Sequence, residues 1–521
     1  MLHWHPVASR FVVKSAQTAH NVGMANSDVV IVILAAGKGT RLKSTLAKVL
    51  HRAGGRSLVE HVVRACQPLK AREMIAVVGH QAEDVTAALA PLGVKTALQK
   101  PQRGTGHAML VARRAIPSRA RHVIILPGDA PLIRTETLAA LARSHRETGA
   151  AATILSAEID SPAGYGRIVR RDDGSVDAIV EDSALNDDQR AIREINSSIY
   201  CFSLDKLWPC LASLKPQNVH KELYLTDAIS MLRQKGENVQ AVLAADPDEV
   251  LGCNTRADLA AVDAVFRRRK RAAIMDAGVT IELPETVLID PEVTIGADSR
   301  IEPGVQLLGK TRIGSSCTIR TGSVLSDAVL EDNVLVKPHT MVIASHLSRG
   351  TQVGPFAHLR DGARLEENAR VGNFVEVKKS VLGEGVKSMH LTYLGDARVG
   401  AGTNIGAGTI TCNYDGVNKN ATTIGKRVFI GSDTALVAPV RVGDGAYVGA
   451  GSVITENVPA DALGLARGRQ VNMVGWASSR RRQMAAVAKV AKSRPRKKSK
   501  RRAPARRRKT QSHGVKRSRK R

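Results

Sequence analysis

The sequence predicts an α/β domain built on a Rossmann-like, doubly wound sheet. A parallel β-helix of hexapeptide repeats follows, and a basic tail expected to be disordered closes the chain. Three observations carry that reading. Apolar runs closed by glycine alternate with amphipathic segments through the first half of the chain. From Leu283 onward, aliphatic residues recur at every sixth position. From Arg480 to Arg521 there are 21 Lys or Arg and no Asp or Glu.

Composition bounds the rest. The chain has 521 residues, 43% of them hydrophobic but only 3% aromatic. At about 100–200 residues per domain, that length fits two or three domains with real cores. No stretch approaches the roughly 18 apolar residues of a membrane-crossing helix, so the chain is not read as a membrane protein. The formal charge of +29 comes from 77 Lys+Arg against 48 Asp+Glu. Removing the tail's 21 cations from 77 leaves 56 against 48, so the basicity belongs to the tail alone. Six cysteines without a CxxC pair point to reduced thiols in a cytoplasmic protein, neither a disulfide framework nor a zinc site.

Taken in order, residues 1–27 form an N-terminal extension with weak periodicity and no secretory h-region, and Met24 offers an alternative start. Residues 28–254 are the α/β domain. Its runs VVIVILAAG (29–37), MIAVVG (74–79) and HVIILPGD (122–129) are apolar throughout, as strands buried on both faces require. Between them, Leu58, Val62, Ala65 and Cys66 mark one face of a helix. Ligands of such sheets sit beyond the carboxyl ends of the strands, which singles out the loops after Leu34 and Leu126. Residues 255–277 read as a linker helix with a solvated basic side, RRRKR (267–271).

Residues 278–476 are the β-helix. Leu283, Ile289, Ile295, Ile301, Leu307, Ile313, Ile319 and Leu325 are spaced six apart. The register resumes at Val353, Leu359, Leu365, Val371 and Val377, and again at Ile424, Ile430, Leu436, Val442, Val448 and Ile454. A period of six suits neither a helix nor a hairpin meander. It suits hexapeptide coils in which the aliphatic plugs the interior and a small residue after it, as in Ile295-Gly296, allows the corner. The segments 378–398 and 411–423 break the period and are expected to project as loops, where function concentrates. Residues 477–521 form the low-complexity tail, with 479–492 able to prolong a helix.

Two constellations carry chemistry. In LAAGKGTR (34–41), Gly37 and Gly39 let backbone N–H groups approach a phosphate, and Lys38 and Arg41 supply charge. Lys48 is a further cation, Gln99 with Gly104-Thr105-Gly106 forms a second glycine turn, and Asp129 in LPGDAPL can hold Mg²⁺. His107 is read as structural. Near the breaks in the hexad stand Arg360, Lys378, His390 and Tyr393. An imidazole can take a proton from an attacking amine at neutral pH, and Arg with Lys suits a phosphate on the acceptor.

LAAGKGTR, QxxxxGTGHA, GDAPL, GYGRI, EIN and the hexapeptides, from Val29 to Arg467, resemble one family. It is the bacterial bifunctional N-acetylglucosamine-1-phosphate uridylyltransferase / glucosamine-1-phosphate N-acetyltransferase family. The resemblance implies an α/β nucleotidyltransferase domain and a left-handed β-helix that assembles as a homotrimer. Leu34, Ala35 and Gly37 would then meet the uridine nucleotide of UTP, with Gln99, Gly104 and Thr105 on the uracil side. Arg41 and Lys48 would neutralise the triphosphate, Asp129 and Asn254 would hold Mg²⁺, and Gly166, Glu181 and Asn196 would line the sugar of N-acetylglucosamine-1-phosphate. In the second site His390 would be the general base for glucosamine-1-phosphate. Arg360 and Lys378 would hold its phosphate, and Tyr393 and Asn404 its sugar. Ala407, Asn413, Tyr414, Ser432, Ala450 and Arg467 would contact acetyl-CoA. The chain departs from the family at Ala47, where proline is usual, at Pro127, near which tyrosine is usual, and at Ser197-Ser198 after Asn196. None of these removes a charged group. Cys412 is read as a bystander, since the amine attacks acetyl-CoA directly.

The rival reading within enzymes is a sugar-1-phosphate nucleotidyltransferase whose β-helix is only regulatory or oligomerising. For the tail, the functional reading is weak electrostatic contact with nucleic acid or an anionic surface.

Overall fold

The computed structural model describes residues 28–216 and 221–493. The extension 1–27 with Met24, and the tail beyond residue 493, lie outside the described residues. The chain divides into two units at Ala466/Arg467, each treated by itself below.

The first unit opens with a seven-strand path, ordered Val239–Leu243, Ala152–Glu158, Glu194–Ser203, His122–Pro127, Val29–Ala35, Glu73–Val78, Lys95–Leu98. Alternate residues of the first strand enter separate cores, Ile31 and Ile33 on one face and Val30 and Val32 on the other, as its unbroken apolar run requires. Val29–Ala35 pairs in parallel with Glu73–Val78 on one side and His122–Pro127 on the other. The chain therefore reverses its order across this strand, and the loops after Leu34 and Pro127 open side by side.

The sheet is not purely parallel. Glu194–Ser203 runs antiparallel to both its neighbours. After Glu158 the chain returns through the antiparallel ribbon Arg167–Arg170/Val176–Val180 rather than a helical crossover, so it re-enters the sheet reversed.

Helix Arg256–Asp276, started by a capping box from Thr255 and Asp258, ties the sheet to the β-helix. Asp263 Oδ1 accepts from Gly54 N at 2.8 Å, and Lys270 Nζ donates to Pro291 O at 2.9 Å and Val293 O at 2.8 Å.

The β-helix stacks parallel strands into long sheets, one of 19 strands and one of nine. Interior positions step by 17 or 18 residues per coil, as in Ile313, Leu330, Leu347, Leu365, Leu382 and Val399. The apparent loss of register after Leu325 is a shortened turn: Leu330, Val336, Val342 and Leu347 keep filling the core. The small residue after the aliphatic serves coil-to-coil approach. A Cβ on Gly296 would lie 2.7 Å from backbone of Gly314 and Ser315, while the left-handed corners fall elsewhere, as at Asp298 and Ser316.

Two expectations fail here. Leu283 is 59% exposed and precedes Pro284 in a left-handed turn; Ile281 and Val287 fill the core in its place. Residues 378–398 do not project. Strands Arg370–Lys378 and Lys387–Gly395 run on around a corner at Phe374 and Leu391, both at positive φ, and pair along their length. Ser388 takes the interior place of an aliphatic, which hid the period. Only the second break stands out: Val399 to Ile424 spans 25 residues, and Tyr414 to Lys419 are exposed.

The second unit, from Arg467, contains helix Trp476–Ser493, so order extends well into the segment read as tail.

Candidate active sites

The first site lies where Val29–Ala35 and His122–Pro127 end. Gly39 is left-handed, and a Cβ there would come within 2.6 Å of Lys48 Cβ, so glycine is what lets the loop fold over that lysine. Arg41 Nη2 donates to Asn254 Oδ1 at 2.7 Å, and Lys48 Nζ donates to the same oxygen at 2.6 Å. Lys48 Nζ also pairs with Asp129 Oδ2. Asp129 and Asn254, from distant parts of the chain, thus meet on the Lys48 ammonium, and Arg41 joins them through Asn254. Asn254 is held in turn: Asp258 Oδ2 accepts from its N at 2.8 Å, and Cys253 N donates to Asp129 O at 3.0 Å. Leu34 is half-buried and Ala35 buried, but Gly37 is exposed with open space where a Cβ would go.

Gln99 is buried and donates from Nε2 to Gly104 O at 3.0 Å. Its amide also meets His107 Nδ1 at 3.1 Å, so His107, read as structural, orients a candidate binding residue. Thr105 Oγ1 accepts from Leu225 N at 2.9 Å. Gly104, at φ 94°, leaves no room for a Cβ, which would sit 2.6 Å from Leu223 O.

Gly166 and Asn196 are adjacent: Asn196 N donates to Gly166 O at 2.8 Å. Asn196 Nδ2 donates to Tyr200 Oη at 2.8 Å. Glu181 follows the strand paired with Arg167, and Thr226 Oγ1 donates to its Oε1 at 2.9 Å. Burial raises the Glu181 carboxyl above the usual carboxylate range, only partly opposed by the Thr226 hydrogen bond.

The second site is built on the corner strands of the β-helix. Arg360 and Lys378 are stacked in register, one coil apart. Asn373 opposes His390, and Glu376 opposes Tyr393. His390 Nδ1 meets Asn373 Oδ1 at 2.9 Å. An amide oxygen only accepts, so this bond puts the proton on Nδ1 and leaves Nε2 basic. His390 is solvent-exposed, where a ligand can reach it. Arg360 pairs with Glu376 at 2.7 Å and Asp361 at 2.8 Å, and Lys378 Nζ lies 3.8 Å from Asp361. A Cβ on Gly395 would fall within 2.8 Å of Asn413 Nδ2 and closer still to Tyr393 Oη, so these two side chains converge over that glycine. Asn413 Nδ2 donates to Asp396 Oδ2 at 2.6 Å. Tyr414 lies in the exposed loop. Asn404 sits one coil on, in register with Lys387. Ala407, Ser432 and Ala450 occupy successive turns, linked by Asp433 N to Ala407 O and Gly451 N to Ser432 O. Arg467 opens the second unit.

Comparison with known proteins bears on both clusters. Residues 31–194 match the MobA-like NTP transferase domain, and residues 421–456 match the bacterial transferase hexapeptide (six repeats). The bifunctional protein GlmU of Koribacter versatilis is 50% identical over 88% of this chain and 98% of its own length. The chain belongs to the GlmU family. The GlmU proteins of Solibacter usitatus, 49% identical over 87% of this chain and 97% of their own, and Trichlorobacter lovleyi, 45% over 86% and 98%, agree. Both halves of the molecule therefore fall inside one family match.

Several partners escaped the sequence reading: Asn373, Glu376 and Asp361 in the second site, and Asp258 and Thr226 in the first. The coil length would have found Asn373, which lies one 17-residue step before His390. Asp258 and Thr226 carry no such signal.

Proposed function

We propose that this chain, a bifunctional member of the GlmU family, makes UDP-N-acetylglucosamine at its two clusters. Acetyl-CoA acetylates glucosamine-1-phosphate on the β-helix, and UTP then uridylylates N-acetylglucosamine-1-phosphate at the sheet, releasing pyrophosphate. The product is a cell-wall precursor, made in the cytoplasm. The observation that carries the reading is that one chain builds two separate constellations, one of cations around Asp129 and Asn254 and one around a histidine that meets Asn373.

At the β-helix, the amine of the acceptor attacks the thioester carbonyl. The amine proton goes to Nε2 of His390, and the thiolate of CoA leaves. Asn373 holds the imidazole in the productive tautomer. Arg360 and Lys378 receive the acceptor's phosphate in exchange for Asp361, while Tyr393 and Asn404 orient the sugar. Asn413, Tyr414, Ala407, Ser432 and Ala450 flank acetyl-CoA.

At the sheet, an oxygen of the sugar-1-phosphate attacks the α-phosphorus and pyrophosphate departs. Arg41 and Lys48 neutralise the triphosphate, and little covalent help is needed beyond positioning and charge. Leu34, Ala35 and Gly37 offer backbone to the nucleotide, Gln99, Gly104 and Thr105 the base side, and Gly166, Glu181 and Asn196 the sugar. The donor set suits a hard cation: Asp129 and Asn254 already converge oxygens on the Lys48 ammonium. Mg²⁺ held by these two residues would share the phosphate charge.

A homotrimer is the assembly we favour. What supports it is the set of apolar side chains on the outside of the β-helix. The 19-strand sheet leaves Phe429, Tyr447, Ile410 and Val453 between 44% and 58% exposed, as faces covered by a second copy would.

Two substitutions test the assignment of sites. His390→Ala should lower acetyl transfer by at least about 100-fold and leave uridylyl transfer unchanged. Asp129→Ala should do the reverse, abolishing Mg²⁺-dependent pyrophosphate release alone. Parallel loss of both activities in either variant would sink the assignment.

A further inference from the structure

The run RRRKR (267–271), expected on the solvated side of the linker helix, is divided by the structure. Arg268 is 65% exposed, but Arg267 and Arg269 keep only 20% and 27% of their side chains in solvent. With Lys270 and Arg56 they line a cavity of about 300 Å³. It lies where helix Arg256–Asp276 meets the hairpin of Arg52–Ala53 and Arg56–Ser57 and the β-helix. Phe266 and Ile289 supply an apolar wall, and no acidic residue lines the space.

Three of these cations keep hydrogen-bonding capacity that the protein does not use. Arg267 donates from Nε to Asp263 Oδ2 at 2.7 Å, yet its Nη1 is buried without a partner. Lys270 gives two of its three N–H groups to Pro291 O and Val293 O, which leaves one. Arg56 comes no nearer than 3.5 Å to its carboxylates, Glu60 and Glu292. Arg269 is spent on Leu132 O and Asp246, so it adds charge alone. The acidic neighbours are divided: Asp263 also accepts from Gly54 N, Asp246 is shared with Arg134, and Glu60 with Arg64. Burial and the nearby Arg56 charge hold the Lys270 ammonium below its usual range, as fits a cation without a matching carboxylate.

We propose that this cavity binds a small phosphate monoester, its phosphate held by Arg56, Arg267 and Lys270 and its organic part against Phe266 and Ile289. A phosphate offers oxygens in several directions and accepts charge-assisted bonds from donors on separate elements. The apolar wall gives the organic part a place that a bare ion would leave unused. Arg56 comes from the sheet domain, Arg267 from the helix, and Lys270 already grips the β-helix through Pro291 and Val293. The ligand therefore joins all three. This inference rests on neither transfer reaction.

The test is isothermal titration calorimetry of the full-length protein with phenyl phosphate and, separately, inorganic phosphate, at an ionic strength of about 0.15 M. Saturable binding is expected, with phenyl phosphate the tighter of the two. Arg56→Gln/Arg267→Gln should weaken it at least about tenfold, with both transfer activities unchanged. Arg56→Gln alone leaves the Arg267–Asp263 pair in place and should still weaken binding by about threefold or more. Equal affinity in the variants and the unsubstituted protein would overturn the proposal. Complete loss of saturable binding in Lys48→Gln/Arg360→Gln would also overturn it, by placing the phosphate in the sites already described. Inorganic phosphate binding as tightly as phenyl phosphate would overturn the organic part of the assignment.

Discussion

In the proposed scheme, His390 depends on a single neighbour. Its Nδ1 bond to Asn373 fixes which nitrogen is basic, and Asn373 touches no substrate in the scheme. Asn373→Ala should therefore lower the kcat of acetyl transfer about 10- to 100-fold while leaving the KM for glucosamine-1-phosphate near its original value. An unchanged kcat in steady-state assays would make Asn373 a bystander. A second residue-scale consequence concerns pH. Burial pushes His145 down to about 4, helped by nearby His122 and Arg146, and burial likewise pushes His61 down to about 4. Both are neutral when folded and take up protons more readily when unfolded. Their contribution is complete above an unfolded pKa of about 6.5 and is lost as the pH falls toward 4. Each should cost about 2 kcal/mol between pH 7.5 and pH 5. Urea titrations at the two pH values should show this loss, and His145→Gln should remove roughly half of it. His145, which bonds Thr153 Oγ1 at 2.9 Å and Ser203 Oγ at 3.1 Å, could not be singled out from the sequence, because nothing near it marks a buried polar contact.

At the scale of elements, periodicity told most of the truth. The apolar strand Val29–Ala35 and the hexads were legible because burial demands a fixed residue class at a fixed interval. Glu194–Ser203 was not singled out, and its antiparallel sense follows from the ribbon that precedes it, a feature of connection rather than pattern. The corner strands were misread as loops for a related reason: Ser388 and Thr411 stand in the interior, both fully buried, where an aliphatic was sought. Thr411 is tolerated there because its Oγ1 accepts from Gly395 N at 2.8 Å and lies 3.0 Å from Gly395 O. The corner strands also depend on Gly372, where a Cβ would clash with Met389 O of the next coil. Gly372→Ala should push apart the strands that carry Asn373 and His390. Acetyl transfer and the thermal stability of the β-helix should fall together, with uridylyl transfer kept. Normal acetylation with an unchanged melting temperature would contradict the stacking argument.

For the whole molecule, the two chemistries sit on scaffolds with different logic. The sheet gathers Arg41, Lys48, Asp129 and Asn254 from positions far apart in sequence, at the place where strand order reverses. Motifs found the first three by their place after strands, whereas Asn254 came only through the family resemblance. The β-helix gathers its residues by a repeat distance, so Arg360, Lys378, His390 and Tyr393 come together through simple stacking. Nothing requires the two scaffolds to share a residue, so one chain can perform both reactions in sequence. The most direct test is a coupled assay on the purified full-length protein. Glucosamine-1-phosphate, acetyl-CoA, UTP and Mg²⁺ are supplied together, and free CoA and pyrophosphate are followed separately. Both should appear, with pyrophosphate lagging behind CoA. Pyrophosphate only when N-acetylglucosamine-1-phosphate is added, with no CoA released, would contradict it and reduce the β-helix to a scaffold.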